Sequence, residues 1–181
     1  MTLTIKLALG AALAALSMTS AFASDLISYP TSSAGEVPVH DTKSFDWTGF
    51  YAGLYGVVQN GSVDGGQYGL GINLGANTTF DFYLVGAEVA LQGLNGDSGG
   101  VTSADILARG GLLVNDDVLV YAAAGYGADT GGANDSNFLL GAGAEFAVTD
   151  NVSLRAQYLH GFQASGGNET NQVSLGAAFH F

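Results

Sequence analysis

The sequence predicts an all-β fold: an eight-stranded antiparallel up-and-down transmembrane β-barrel. Three observations point to it. The chain is apolar on average, with a mean hydropathy of +0.28 and only 11% charged residues, yet after residue 24 no apolar run reaches the ~20 residues that a membrane helix needs. From Trp47 onward, apolar residues alternate with small or polar ones at period two, and turn residues interrupt the pattern at regular intervals. The chain also opens with an export signal. Strands that show lipid only at every second residue dilute hydropathy in this way.

The elements follow in order. Lys6 supplies a positive start, Leu7 to Leu16 is an alanine-rich apolar stretch, and Ala21-Phe22-Ala23 is a small-residue cleavage pattern. Residues 1–23 therefore read as a signal peptide, with the mature chain starting at Ser24. Residues 24–45 hold both prolines, Pro30 and Pro38, and show no period. They read as a flexible periplasmic lead-in, and 46–181 as the barrel.

Without the signal, the basic residues are Lys43, Arg109 and Arg155. Three against sixteen acidic residues leave a net charge of −13. So acidic a chain does not suit nucleic acid, whose phosphates call for clustered Lys and Arg. There is no cysteine, hence no disulfide framework and no thiolate metal site.

Eight period-two segments span approximately 47–58, 67–77, 81–92, 101–113, 118–128, 137–148, 152–163 and 171–181, each near the ~9–11 residues of a tilted membrane strand. In the last, Val173, Leu175, Ala177, Phe179 and Phe181 oppose Gln172, Ser174, Gly176, Ala178 and His180. In the second, Tyr68, Leu70, Ile72, Leu74 and Ala76 oppose Gln67, Gly69, Gly71, Asn73 and Gly75. In the third, Tyr83, Val85, Ala87, Val89 and Leu91 oppose Phe82, Leu84, Gly86, Glu88 and Ala90. Apolar residues outward and small or polar ones inward is the pattern of a lipid-embedded barrel. The facing of the first segment stays open.

Connections alternate in length. Short ones fall at 77–81, 115–117 and 149–151, and longer ones, rich in Gly, Asn and Asp, at 59–66, 92–100, 129–136 and 163–170. Outer-membrane barrels have short periplasmic turns and longer outer loops, so both barrel ends are expected on the periplasmic side. Aromatic residues gather toward two rims: Trp47, Phe80, Phe82, Phe146, Phe179 and Phe181 at the periplasmic end, and Tyr68, Tyr126, Phe138 and Phe162 at the outer end. Interfacial girdles have this distribution.

Extending the alternation points Glu88, Asp105, Arg109, Glu145 and Arg155 into the lumen. On the lipid face near the midplane each arginine would cost roughly 2–4 kcal/mol; inside, the charges can pair. A turn centred on Asp150 sets Glu145 directly opposite Arg155, close enough to bond. Arg109 is expected to pair with Glu88 across the lumen or with Asp105 along its own strand. Eight strands leave an interior just wide enough for side chains. The inward glycines Gly69, Gly71, Gly75, Gly125, Gly127, Gly141 and Gly143 are expected to leave some room for water.

Trp47-Thr48-Gly49-Phe50-Tyr51-Ala52-Gly53-Leu54-Tyr55-Gly56 resembles the opening strand of the small porin-like outer-membrane proteins of alphaproteobacteria, within the OmpA-type eight-stranded barrels. Phe179 and the terminal Phe181 resemble the closing strand that the outer-membrane assembly machinery recognises. The likeness covers residues 45–181. It implies an integral protein of the cell outer membrane with a structural or porin-like role. Its partners would be outer-membrane lipid, lipopolysaccharide and the barrel assembly machinery. Eight strands can close alone, so a monomer is expected.

Catalysis, cofactors and metals are not expected. A lipid A deacylase would need a His–Ser–acid constellation near the outer rim. His160 falls near that rim, but Ser165 lies in the loop beyond, His180 is placed inside or at the periplasmic rim, and His40 is in the lead-in. Gly69-x-Gly71-x-x-x-Gly75 is strand glycine rather than a dinucleotide motif. The acids Asp64, Asp97, Asp129, Asp135 and Glu169 read as solvated loop charge, without the ligand density of a calcium loop. The first reading is a structural envelope barrel whose lumen is filled by side chains and ion pairs. The alternatives are a narrow porin-like channel and a surface-recognition protein.

Overall fold

The computed structural model describes residues 44–61, 65–96, 99–129, 136–165 and 169–181; the signal reading, the lead-in up to residue 43, and the acids Asp64, Asp97 and Asp135 lie outside them, whereas Phe45, read as the end of the lead-in, is buried in the barrel. One sheet closes on itself. Its strands are β1 (Gly49–Gly61), β2 (Gly65–Phe80), β3 (Tyr83–Gly96), β4 (Gly99–Asn115), β5 (Val118–Asp129), β6 (Ser136–Ala147), β7 (Val152–Ser165) and β8 (Thr170–His180). Each pairs antiparallel with its neighbours in sequence, and β1 closes against β8, Tyr51 opposite His180. Closure satisfies every strand edge.

The expected alternation holds. On β2, Leu70, Ile72 and Leu74 are exposed while Gln67, Asn73 and Asn77 are buried; on β8, Val173, Leu175 and Phe179 are exposed while Gln172, Ser174 and His180 are buried. Such a surface is inverted relative to a water-soluble barrel, and fits a hydrocarbon surround. On β1, which the pattern left open, Tyr51 and Val57 turn inward and Phe50, Leu54 and Val58 outward.

The strands are longer than their hydropathy suggests, 14 residues in β3 and 17 in β4. They continue into stretches read as loops: Gly61 pairs with Gly65, and Gly96 with Gly99. Ladder hydrogen bonds are made by backbone, so a stretch with no apolar pattern still extends a strand when its neighbour is in register. At the other end of the barrel the connections are tight. Asp81, with φ 53°, adopts the left-handed conformation that Asp tolerates, and Phe80 pairs with Tyr83 around it. Phe82 is therefore a turn residue, 54% exposed, and not the inward member of β3 that strict alternation implies.

A second correction concerns Trp47. The rim distribution assigned it to the periplasmic girdle, but it is only 2% exposed. The chain reverses at Gly49, with φ +129°, and carries Phe45 and Trp47 into the barrel mouth at the turn end. Both belong to one apolar cluster with Leu84, Leu107, Leu119, Tyr121, Ala123, Leu139 and Leu159, of which Phe45 and Trp47 form the plug at the mouth. The Trp47 indole N–H donates to the Asp116 carbonyl at 2.9 Å, which satisfies the one polar atom of a buried ring. A residue just before the first strand is not held to the wall's in–out alternation.

Candidate functional site

Above this apolar plug lies a layer of charge built from five strands. Glu145 and Arg155 face each other in the β6–β7 ladder, and the Arg155 Nε–H donates to Glu145 Oε1 at 2.8 Å. This is the pair expected from the Asp150 turn. Arg155 also reaches across the lumen, its Nη1 donating to Glu88 Oε2 at 2.7 Å. Arg109, from β4, has Nη1 3.5 Å from Glu88 Oε2 and donates from Nη2 to Glu145. Two guanidiniums and two carboxylates thus alternate in one ring of charge, with all four side chains nearly inaccessible. In so dry a place the mutual pairing offsets the desolvation each ion would otherwise carry alone.

Tyr51 completes the layer. Its hydroxyl donates to Glu88 Oε2 at 2.6 Å and accepts from Arg109 Nη1. Asn73 Nδ2 donates to the same carboxylate oxygen at 3.0 Å. The Arg109 guanidinium lies 4.0 Å from the centroid of the Tyr121 ring, and both guanidiniums lie 5.3 Å from that of Tyr51. Cation–π contact suits arginine, whose guanidinium is weakly hydrated. Sequence reasoning found the four charges through their cost on the lipid face. It missed Tyr51 because a tyrosine is at home on either face of a strand, and only the register of β1, β2 and β3, with Gly75 between Tyr51 and Glu88, settled which.

Asp105 is where the charge reading needs correcting. It points inward as expected and is 4% exposed, but it joins neither arginine. Four residues of strand separate it from Arg109, about 13 Å at ~3.3 Å per residue, and the Arg109 side chain leans the other way, onto Tyr121 and Glu145. The glycines also leave less water space than expected. A side chain at Gly71 would overlap the Tyr55 ring, one at Gly75 the Tyr51 ring, and one at Gly143 the Tyr121 ring, while Gly69, Gly125 and Gly141 sit against neighbouring backbone. The free space between the charged layer and the Gln157, Gln172 and Ser174 side chains is a cavity of about 10 Å³, room for about one water.

Tyr68, Phe80, Tyr126, Phe138, Phe146, Phe162, Phe179 and Phe181 are all outward and exposed. Tyr126 and Phe138 pair edge-to-face across β5 and β6, with centroids 5.6 Å apart. His160 is on the outward face at the loop end, its Nδ1 3.0 Å from Asn171 Oδ1; the Ser165 side chain lies outside the described residues. A serine–histidine contact does occur at the turn end, Ser153 Oγ to His180 Nε2 at 3.1 Å, with Glu145 Oε2 3.4 Å from the same hydroxyl. Ser153 is 0% exposed beneath the plug, so an acyl substrate has no approach to it.

A closed eight-stranded antiparallel barrel with an apolar outside and a charged inside defines a fold class, the small transmembrane β-barrels. Solved structures to which this chain is similar share that fold. They include Ail, the attachment invasion locus protein of Yersinia pestis, with a TM-score of 0.54 and 15% identity over 73% of this chain and 96% of that one. They also include Neisserial surface protein A, with a TM-score of 0.52 and 19% identity over 74% and 98%, and a de novo designed transmembrane β-barrel, with 0.51 and 18% over 76% and 99%. At these identities the shared property is the fold. No family model matches the sequence, and neither does any curated protein.

Proposed function

We propose that this protein is an integral, non-enzymatic barrel of the bacterial outer membrane, with a structural role in the envelope and a lumen closed to solutes. The observation that carries the reading is the ring of Glu88, Arg155, Glu145 and Arg109 with Tyr51 braced across it. A water-filled pore needs a continuous path, and the space beside this layer is about 10 Å³, near the size of a single water.

The short turns and both ends of the barrel face the periplasm in this reading, the usual sense for such barrels. The exposed aromatics then form two interfacial girdles. Phe138 and Phe146, eight residues apart on β6, span about 26 Å along the strand and about 20 Å across the membrane at a ~40° tilt, near the ~25 Å apolar band of such barrels. Phe179 and Phe181 are the residues offered to the barrel assembly machinery, residues 1–23 are the export signal, and the folded monomer contacts outer-membrane lipid and lipopolysaccharide. The test is conductance of the refolded protein in a planar bilayer, with folding checked on the same sample. A silent bilayer is the expected outcome. Discrete, reproducible steps that shift in Glu145→Gln would overturn the closed lumen in favour of a narrow porin-like channel.

A further inference from the structure

Toward the loop end, the lumen changes character. Buried there among the described residues is Asp105, a carboxylate with no ion pair or hydrogen bond to any described group. Both buried guanidiniums are engaged by Glu88 and Glu145, so Asp105 is a carboxyl group left over without a cation to pair it among the described residues. Two residues along β4, on the same inward face, the Ser103 hydroxyl is buried with no partner. Asp129 of β5 stands directly opposite Ser103, and Gly127 opposite Asp105, where the absent side chain leaves room for the carboxylate.

These groups face a cavity of about 50 Å³, room for an ion and about two or three waters. Its wall also carries the amides of Gln92, Gln172 and Asn137 and the Thr170 hydroxyl, and no Lys, Arg or His among the described residues. Gln92 and Gln172 exchange side-chain hydrogen bonds of 3.1 and 3.2 Å and form its floor above the charged layer. A buried, uncompensated carboxylate is costly, and a counter-charge removes the cost. Donors that are all oxygen, with two carboxylates among neutral amides and hydroxyls, are those of a hard cation.

We propose that the loop end of the lumen is a cation site in which Asp105, with Ser103 and Asp129 beside it, holds a hard divalent cation of calcium's kind. With only two charged ligands, the site belongs in the weak range of calcium sites, at about 10⁻⁴–10⁻³ M. When filled, it ties β4 to β5 near the outer rim.

The test is calorimetric titration of calcium chloride into the full chain refolded in zwitterionic detergent, at constant ionic strength. The unfolding midpoint would be followed in parallel by gel mobility. Binding of one ion per barrel and a raised midpoint are expected, and Asp105→Asn should weaken binding by about tenfold or more while keeping the folded mobility. Asp81→Asn, at the exposed turn, should bind as the parent does. A parent that binds no calcium, or an Asp105→Asn protein that binds as tightly as the parent, would overturn the proposal. If Asp105→Asn does not fold, Asp129→Asn decides in the same titration: weakened binding supports the site and unchanged binding overturns it.

Discussion

Tyr51 stands directly opposite Gly75 in the β1–β2 ladder, and its ring occupies the space that a side chain at the glycine would fill. Two more inward tyrosines repeat the relationship, Tyr55 over Gly71 and Tyr121 over Gly143. A ring laid over a cross-strand glycine fills the lumen and is itself held flat. Tyr51 is thereby aimed at the Glu88 carboxylate and the Arg109 guanidinium.

Gly75→Ala should therefore force the Tyr51 ring off its seat and destabilise the barrel by about 1–3 kcal/mol through overpacking. Tyr51→Phe keeps the ring and removes the hydroxyl. It should cost a similar amount, about 1–3 kcal/mol, because Glu88 and Arg109 each lose a buried partner. Urea unfolding of the refolded protein measures both, and a neutral Tyr51→Phe would mean the hydroxyl does not hold the charged layer.

Arg155→Ala should be among the most damaging single changes. It leaves two buried carboxylates sharing Arg109 alone, at a cost of about 3–5 kcal/mol. Adding Glu145→Gln to it should cost less than the two single effects together, because the two residues act as one network. Additive losses in the four-variant cycle would show that the pair is not coupled.

Trp47→Ala should destabilise the barrel by about 3–5 kcal/mol, as removal of a large buried ring does. Phe146→Ala, outward on β6 and 51% exposed, should change the stability of the detergent-folded protein much less. If Trp47→Ala is as mild as Phe146→Ala, Trp47 is a rim residue and not a plug.

Ile72, outward near the middle of β2 and 50% exposed, reports on the membrane itself. Ile72→Arg should cost about 2–4 kcal/mol in a bilayer, and Tyr68→Arg, near the rim, only about 0–1 kcal/mol. Equal costs at the two positions would argue against a hydrocarbon surround.

The in–out alternation, the number of strands, their order and the inward facing of Glu88, Arg109, Glu145 and Arg155 were all legible in the sequence. Each rests on a period of two and on the spacing of turn residues, which are local along the chain. Glu145 opposite Arg155 was legible for the same reason, since one tight turn sets that register. Only the tertiary structure decided the rest. Tyr51 enters the charged layer because the β1–β2–β3 register sets it and Glu88 on either side of Gly75, and Arg109 prefers Glu145 to Asp105 because its side chain lies down on Tyr121. Trp47 leaves the rim because the backbone reverses at Gly49, and Asp105 is left without an arginine because both guanidiniums are already taken. These are meetings across the lumen between residues far apart in the chain, and they depend on how a closed sheet staggers its strands, which no single segment encodes.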